Sequence, residues 1–352
     1  MRRHSNGMNL LTRNASKKIP RIFLWMAKIT SVLIILSAYS SLQAQNRKHS
    51  SSFSLPQQYY NPAFTGFKGS VIRAYYRDQW TGFDGAPKTL FISGEVNLAD
   101  FQEKVKPRAE ANLQVIAKTG IRHSVGLSFL HDSFGPFVEN QIFASYRSLI
   151  NLSAKVKLQA GAAIAYHAQT LDGSKLTADE AGDPSLQNYI NRTSRSGRMD
   201  FNIGLALSGE NFYAGYAMQN IRGGLGDTQN DFFKNNSKIE YIAQGGYRRS
   251  VSDKFGIVFN GLLRFDNQLK ETFEAQIKGI CYNMAWLGLG YRNSLAYALN
   301  VGFRVNQWQL GYAYEIPTGD AQMTGSGTNE LMVTYDLQKI IHPKLTHQIS
   351  IW

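Results

Sequence analysis

The chain has one cysteine in 352 residues, so Cys281 has no partner within it. A disulfide scaffold, a Cys-x-x-Cys redox site and a zinc ribbon are thereby excluded. Charge is also scarce, at 18% of residues against the ~25% of an average globular chain. After residue 44 no apolar run approaches the ~18 residues of a membrane helix, which rules out a helical inner-membrane protein. Nor is there a Gly-x-Ser-x-Gly elbow, a phosphate loop, a His-Glu-x-x-His pair or a Cys/His cluster at metal spacing.

What is present is aromatic and glycine-rich: 43 Phe, Tyr and Trp together (12%) and 31 Gly. The net charge of +13 at first suggests nucleic acid, but its distribution argues otherwise. Seven bases (Arg2, Arg3, Arg13, Lys17, Lys18, Arg21, Lys28) and no acids lie in residues 1–44. Without them, 31 bases face 25 acids, a balance of +6 with no dense basic stripe. A basic start, the eleven-residue apolar run Ile29–Tyr39 and the small-residue stretch ending at Ala44 read as a secretory signal peptide over 1–44. The run is too short to anchor, since a spanning helix needs ~20 residues.

The mature chain alternates. In 198–207, Met199, Phe201, Ile203, Leu205 and Leu207 share one face, and Arg198, Asp200 and Asn202 share the other. In 272–281, Phe273, Ala275 and Ile277 alternate with Thr272, Glu274, Gln276 and Lys278. Side chains point to opposite faces of a strand, so such segments are half apolar and half polar. Fourteen segments are predicted: 70–80, 88–98, 121–131, 136–149, 155–169, 198–208, 211–219, 237–249, 254–264, 270–280, 284–292, 295–304, 307–316 and 328–337. Most exceed the ~5–6 residues of a soluble strand and match the ~9–11 of a tilted membrane strand. Short gaps (150–154, 209–210, 250–253, 281–283, 305–306) alternate with gaps that include the long 170–197, 220–236 and 317–327. Short periplasmic turns and longer external loops mark outer-membrane barrels. The exception is 99–120, a long basic gap on the short-turn side. The fold predicted is all-β, a transmembrane up-and-down antiparallel β-barrel of about 14 strands over 69–337. Residues 45–68 would form a periplasmic segment or plug, and 338–352 a tail or the closing strand. Tyr59, Tyr60, Trp80, Tyr247, Tyr282, Trp286, Tyr291, Trp308, Tyr314 and Trp352, near segment ends, would suit interfacial girdles.

Several stretches resemble the PorP/SprF family. Tyr59-Tyr60-Asn61-Pro62-Ala63-Phe64-Thr65-Gly66 is similar to its N-terminal motif. Arg77, Gln79, Trp80, Gly82, Gly85, Pro87 and Thr89 follow its Arg-x-Gln-Trp-x-Gly-x-x-Gly-x-Pro-x-Thr pattern. His131-Asp132-Ser133-Phe134-Gly135-Pro136 resembles its glycine-proline hairpin, and Gly182-Asp183-Pro184 its Gly-Asp-Pro. The resemblance covers about 50–337. It implies an outer-membrane protein of the type IX secretion and gliding apparatus of Bacteroidota. Its implied partners are a secreted cargo or adhesin with a C-terminal sorting domain and the periplasmic ring components, besides outer-membrane lipid. With the phosphate loop, His-Glu-x-x-His pair and metal-spaced Cys/His cluster all missing, no cofactor and no metal are expected.

Independently of the resemblance, the block Arg77–Thr89 reads as the first external hairpin, with one segment ending near Trp80 and the next beginning at Lys88: Gly82 and Gly85 permit positive φ, and Pro87 fixes re-entry. Arg77 could pair inside the barrel. Enzyme readings rest on His131-Asp132 and His123-Ser124 alone, without an oriented third group. Asp179, Glu180 and Asp183 could hold a cation in the long loop, with plain solvation as the other account. The functional expectation is a non-enzymatic barrel supporting cargo secretion or attachment. The alternative is a transport channel for small solutes or hydrophobic compounds.

Overall fold

The computed structural model describes residues 49–102, 120–176, 189–222, 239–265, 271–319, 322, 326–338 and 349–352. Fourteen antiparallel strands close on themselves in sequence order. They are β1 Val71–Asp78, β2 Lys88–Asn97, β3 Arg122–Phe134, β4 Phe137–Asn151, β5 Lys157–Asp172, β6 Thr193–Ser208 and β7 Phe212–Arg222. Then follow β8 Glu240–Ser250, β9 Phe255–Phe265, β10 Thr272–Cys281, β11 Ala285–Arg292, β12 Ala296–Val305, β13 Trp308–Pro317 and β14 Thr328–Asp336. The ring is sealed where β1 meets β14, from Val71↔Asp336 to Asp78↔Asn329. Closure removes the open edges that lipid does not tolerate, and the β6–β7 ladder shifts register once, between Phe201 and Ile203.

The wall is inverted relative to a soluble protein. Ile203 (48%), Leu205 (59%), Leu287 (59%) and Leu289 (60%) are exposed, whereas Asp200, Asn202, Glu274, Gln276 and Lys278 are buried. A strand has two faces only, so an apolar outer belt forces the polar set into the lumen.

The strands of β3 to β6 are longer than the rest, reaching 16 residues in β5 and β6. On the outer face of β5 and β6 the large apolar side chains end at the Tyr166↔Met199 pair, and beyond it stand Thr170↔Arg195 and Asp172↔Thr193. This sector therefore rises past the apolar belt as a polar wall. The 13 residues of β3 join β4 through Gly135-Pro136, with Gly135 at φ 53, a conformation that favours glycine.

No strand of the wall comes between β2 and β3, because the two pair directly from Lys88↔Ser133 to Asn97↔Ser124. Their connection contains a one-turn helix, Ala99–Gln102, and residues 103–119 lie outside the described set. The five remaining short turns close the same rim, here called the short-turn rim; 79–87, and the ends of β5, β6, β13 and β14 that the other two long connections join, lie at the opposite, long-loop rim.

The aromatic girdle assignment needs correction. Tyr247, Tyr282, Tyr291, Trp308 and Tyr314 do face outward, but Tyr60 (1%), Trp286 (5%) and Trp352 (4%) are buried in the lumen. Tyr59 packs edge-on against Phe91 and Phe143 inside the wall. Closeness to a strand end did not distinguish a rim residue from one in a segment that enters the barrel.

Candidate functional site in the lumen and at the rim

The lumen is filled by the chain's own ends. Residues 49–70 run through it before the wall begins at Val71, and 349–352 enter it after β14 has closed the ring. β14 is thus the closing strand, and the described tail residues add none.

The motif Tyr59–Gly66 forms the packed part of this plug. A helical turn, Gln57–Tyr60, leads to the 3-10 turn Pro62–Phe64. Asn61 caps that turn, its Oδ1 accepting from the Ala63 amide at 2.8 Å, and Pro62 occupies the first position, where no donor is needed. The wall gives way where the turn sits. Gly161 of β5, Gly204 of β6 and Gly215 of β7 face it side by side. A Cβ on Gly161 would overlap the Pro62–Ala63 peptide, and one on Gly204 would overlap Asn61. One on Gly215 would sit 2.7 Å from the Phe64 ring, and one on Gly126 of β3 2.9 Å from Thr65 and from Gln58. These four glycines carry space, since none is recorded at positive φ. Side chains complete the seat: Gln219 donates to the Tyr59 and Tyr60 carbonyls at 2.6 and 3.0 Å, and Gln58 donates to Ser128 at 3.0 Å.

Nearer the long-loop rim the plug is held by charge. Arg77 donates to Glu315 at 2.5 Å, to Glu330 at 3.1 Å and to Ser51 at 2.7 Å. Arg292 bridges Glu315 and Glu274, each at 3.1 Å, and His49 Nδ1 lies 3.1 Å from Glu274. Ser50 donates to the other Glu330 oxygen at 2.7 Å. Buried charges persist only when paired and hydrogen-bonded, and here the plug's serines supply part of that pairing. Arg77 and Glu330 also stand directly opposite each other across the β1–β14 seam, so this pair joins the first strand to the last.

From the short-turn rim the tail closes the lumen below. Trp352 packs edge-on to Tyr213 at 4.8 Å and lies near Phe67 at 6.2 Å, with the Arg248 guanidinium 4.1 Å over its ring. Ile349 occupies the space that a side chain on Gly256 would need, and Arg304 donates to Ser350 at 2.5 Å. Lys278 joins the two segments, donating to Ser54 of the plug at 2.8 Å and to the Trp352 carbonyl oxygen at 2.7 Å. The cavity between plug and wall at Leu55, Arg73, Tyr75 and Phe91 has room for about one water molecule.

The Arg77–Thr89 block divides between lumen and rim. Arg77 and Thr89 are paired positions of the first hairpin, both pointing inward, and Thr89 donates to Asp132 at 2.5 Å. Gln79 closes the hairpin by donating its amide to the Pro87 carbonyl at 2.9 Å. Gly85 (φ 69) lies against Gly135, whose amide donates to the Gly85 carbonyl at 2.8 Å. Trp80 has φ 49, unusual for a bulky residue, and packs edge-on to Phe134 at 6.1 Å. Gly82 (φ 98) and Phe83 form the tip, with Phe83 56% exposed. Asn61 and Pro62 are in the plug, far from this tip in the fold. Gly182, Asp183 and Pro184, and with them Asp179 and Glu180, lie outside the described residues. The Glu274, Glu315, Glu330 and Arg292 partners were missed in the sequence, although each sits on the polar face of its strand. Their signal was present as charge at inward positions near strand ends.

The two histidine pairs do not form. Neighbours in a strand point to opposite faces. His131 faces out and meets Asn140 at 2.8 Å, whereas Asp132 faces the lumen. His123 meets the Tyr146 hydroxyl at 2.6 Å, whereas Ser124 lies inside and accepts from Arg147 at 2.7 Å.

Residues 42–335 match the family described as "Type IX secretion system membrane protein PorP/SprF". The chain belongs to this family. With its closed barrel and apolar belt, it is an outer-membrane β-barrel protein of the type IX secretion group. No curated protein matches this PorP/SprF chain. Among solved structures it is similar to the outer membrane protein Omp33 of Acinetobacter baumannii, at 10% identity, 76% of this chain, 96% of that chain and a TM-score of 0.43. It is also similar to a Pseudomonas aeruginosa FadL homologue (11%, 79%, 93%, TM-score 0.42) and the Ralstonia pickettii toluene transporter TbuX (10%, 81%, 93%, TM-score 0.44). Likeness at this level says nothing of what the PorP/SprF barrel does.

Proposed function

We propose that this barrel is a non-enzymatic platform that supports secretion or surface attachment of cargo proteins with C-terminal sorting domains, working alongside periplasmic components of the type IX apparatus. The observation that carries this reading is the first hairpin: its base is fixed inside the barrel by Arg77 and Thr89, while its tip holds Phe83 56% exposed at the long-loop rim. A left-handed Trp80 costs about 1–2 kcal/mol, a strain that functional sites tend to retain. Aromatic residues on a rigid base are frequent interface anchors. The plug residues Phe53, Tyr60 and Phe64 and the tail residue Trp352, buried within the ring, favour the platform over an open transport channel.

The test separates the tip from the base. Phe83→Ser removes the exposed ring and touches nothing in the lumen. Heat-modifiable barrel should reach the outer membrane at the parental amount, with fewer copies of one or a few surface proteins on the cell. Normal display of every surface protein, with the barrel abundant, would sink the cargo role of this hairpin.

A further inference from the structure

Four arginines of the lumen hold carboxylates. Arg73 pairs with Glu95, Arg77 with Glu315 and Glu330, Arg264 with Glu240, and Arg292 with Glu274 and Glu315. Arg147 of β4 is as buried as they are, yet it holds no carboxylate among the described residues. Its guanidinium donates to neutral groups only: Gln159 at 2.9 Å, the Ser124 hydroxyl at 2.7 Å and the Gly66 carbonyl at 3.4 Å. Its Nε has no partner. Two more cations stand on the neighbouring strands. The register puts Arg147 level with Ser124 and Gly161. Arg122 of β3 is level with Leu149, one inner layer nearer the short-turn rim, and Lys157 of β5 is level with Asn151, one layer nearer still. Successive inner layers are two residues, or about 7 Å, apart along a strand. The three charges thus form a stair from the buried Arg147 to the exposed Lys157 at the mouth. Among the described residues neither Arg122 nor Lys157 has a side-chain hydrogen bond or an ion pair. The carboxylates on this side are engaged elsewhere: Asp100 accepts from the Ser70 amide and hydroxyl at 3.0 and 2.9 Å, and Glu95 is held by Arg73.

We propose that the β3–β5 sector of the short-turn rim docks an acidic segment of a periplasmic protein, whose carboxylates are taken by Lys157 and Arg122 above the buried charge of Arg147. The inference rests on the platform reading for the kind of partner, and adds the chemistry by which that partner is recognised. Short turns of outer-membrane barrels face the periplasm, so this mouth is open to periplasmic proteins. Like charges gathered without a counter-ion repel one another, and an anion that joins them relieves the repulsion. The layer spacing suits an extended chain, in which alternate side chains also stand about 7 Å apart on one face. Acidic residues at every second position would therefore meet Arg122 and Lys157 together. The protein's own chain is a poor occupant. Residues 103–119, which connect β2 to β3 at this rim, carry four bases and two acids. The described tail residues lie elsewhere on the rim, against Tyr213, Gly256 and Arg304.

The purified barrel in nanodiscs, with both rims open to solvent, tests this by fluorescence anisotropy of a labelled peptide of alternating Ser and Glu. The parent should bind the peptide, and more weakly as salt is raised. Arg122→Gln with Lys157→Gln should weaken binding roughly tenfold. Arg249→Gln with Lys254→Gln, two exposed cations at the β8–β9 side of the same rim, should leave it unchanged. Arg122→Glu with Lys157→Glu should reverse the preference, taking a peptide of alternating Ser and Lys instead. Equal binding by the parent and the Arg122–Lys157 Gln pair overturns the proposal, as does equal weakening by the Arg249–Lys254 pair. Displacement of the peptide by inorganic phosphate or free glutamate, mole for mole as well as by unlabelled peptide, overturns it in favour of a site for small anions. Heat-modifiability confirms that each variant is a folded barrel, and if the reversed variant is not, the two Gln pairs decide. Surface display enters none of these readouts. Failure to bind the peptide therefore leaves the platform reading standing, and failure of the Phe83→Ser test leaves the peptide result unaffected.

Discussion

Replacing Gly161 by alanine isolates the fit between plug and wall. The backbone of β5 tolerates alanine, because Gly161 is an ordinary strand residue paired with Arg147 and Gly204. The atoms nearest to a Cβ there all belong to the Pro62–Ala63 peptide, which it would overlap. Backbone on both sides leaves no flexible side chain to swing away. Overpacking of this kind costs about 1–3 kcal/mol, and here the strain falls on the seated state alone. At about 1.4 kcal/mol per tenfold, the seated-to-displaced ratio should fall by roughly 5–150-fold. Gly261→Ala is the control, since a Cβ there meets only the Glu274 carbonyl at 4.0 Å. In planar bilayers the Gly161→Ala barrel should show intermittent conductance that neither the parent nor Gly261→Ala shows. Deleting 49–68 should give a steady conductance that Gly161→Ala no longer changes. If Gly161→Ala and the parent are equally silent and equally resistant to heat, the glycine row does not seat the plug. If the mutation still has its full effect after the deletion, its effect does not pass through the plug.

Arg77→Ala leaves Glu330 without its guanidinium across the seam and strips one partner from Glu315, a loss of about 3–5 kcal/mol for a buried pair broken on one side; the heat-modifiability midpoint in detergent should drop, and an unchanged midpoint would count against the seam role. Ile203→Arg should cost about 2–4 kcal/mol in mid-belt, whereas Thr170→Arg, beyond the last apolar row, should cost at most about 1 kcal/mol; equal barrel yields would put the belt at the wrong height. Lys278→Met removes the donor shared by Ser54 and Trp352; limited proteolysis should then trim the tail faster, and parental trimming rates would show that the lysine does not hold it.

The strands were legible in the sequence because alternation is a local property. All fourteen predicted segments overlap the fourteen strands, and Ile203 and Leu205, grouped on one apolar face by the alternation, are exposed on the outside of the wall. Boundaries slipped where the wall leaves the belt: β6 starts at Thr193 rather than 198, because beyond the membrane a strand needs no apolar face and the period-two signal fades. The Arg77–Thr89 spacing was legible as a hairpin, and the inward direction of its end residues follows from pairing.

What fills the barrel was settled only in three dimensions. Tyr59–Gly66 shows no period that marks it as a plug, and its glycine seats at Gly161, Gly204 and Gly215 lie about a hundred residues or more further along the chain. The same holds for Ser50 with Glu330 and Ser54 with Gln276, 280 and 222 residues apart. The sequence determined that each strand would turn a polar face inward. It took the closed ring to bring those faces together around a lumen, and only there could a serine, a glutamate and an arginine from the two ends of the chain meet as buried groups and be obliged to bond to one another.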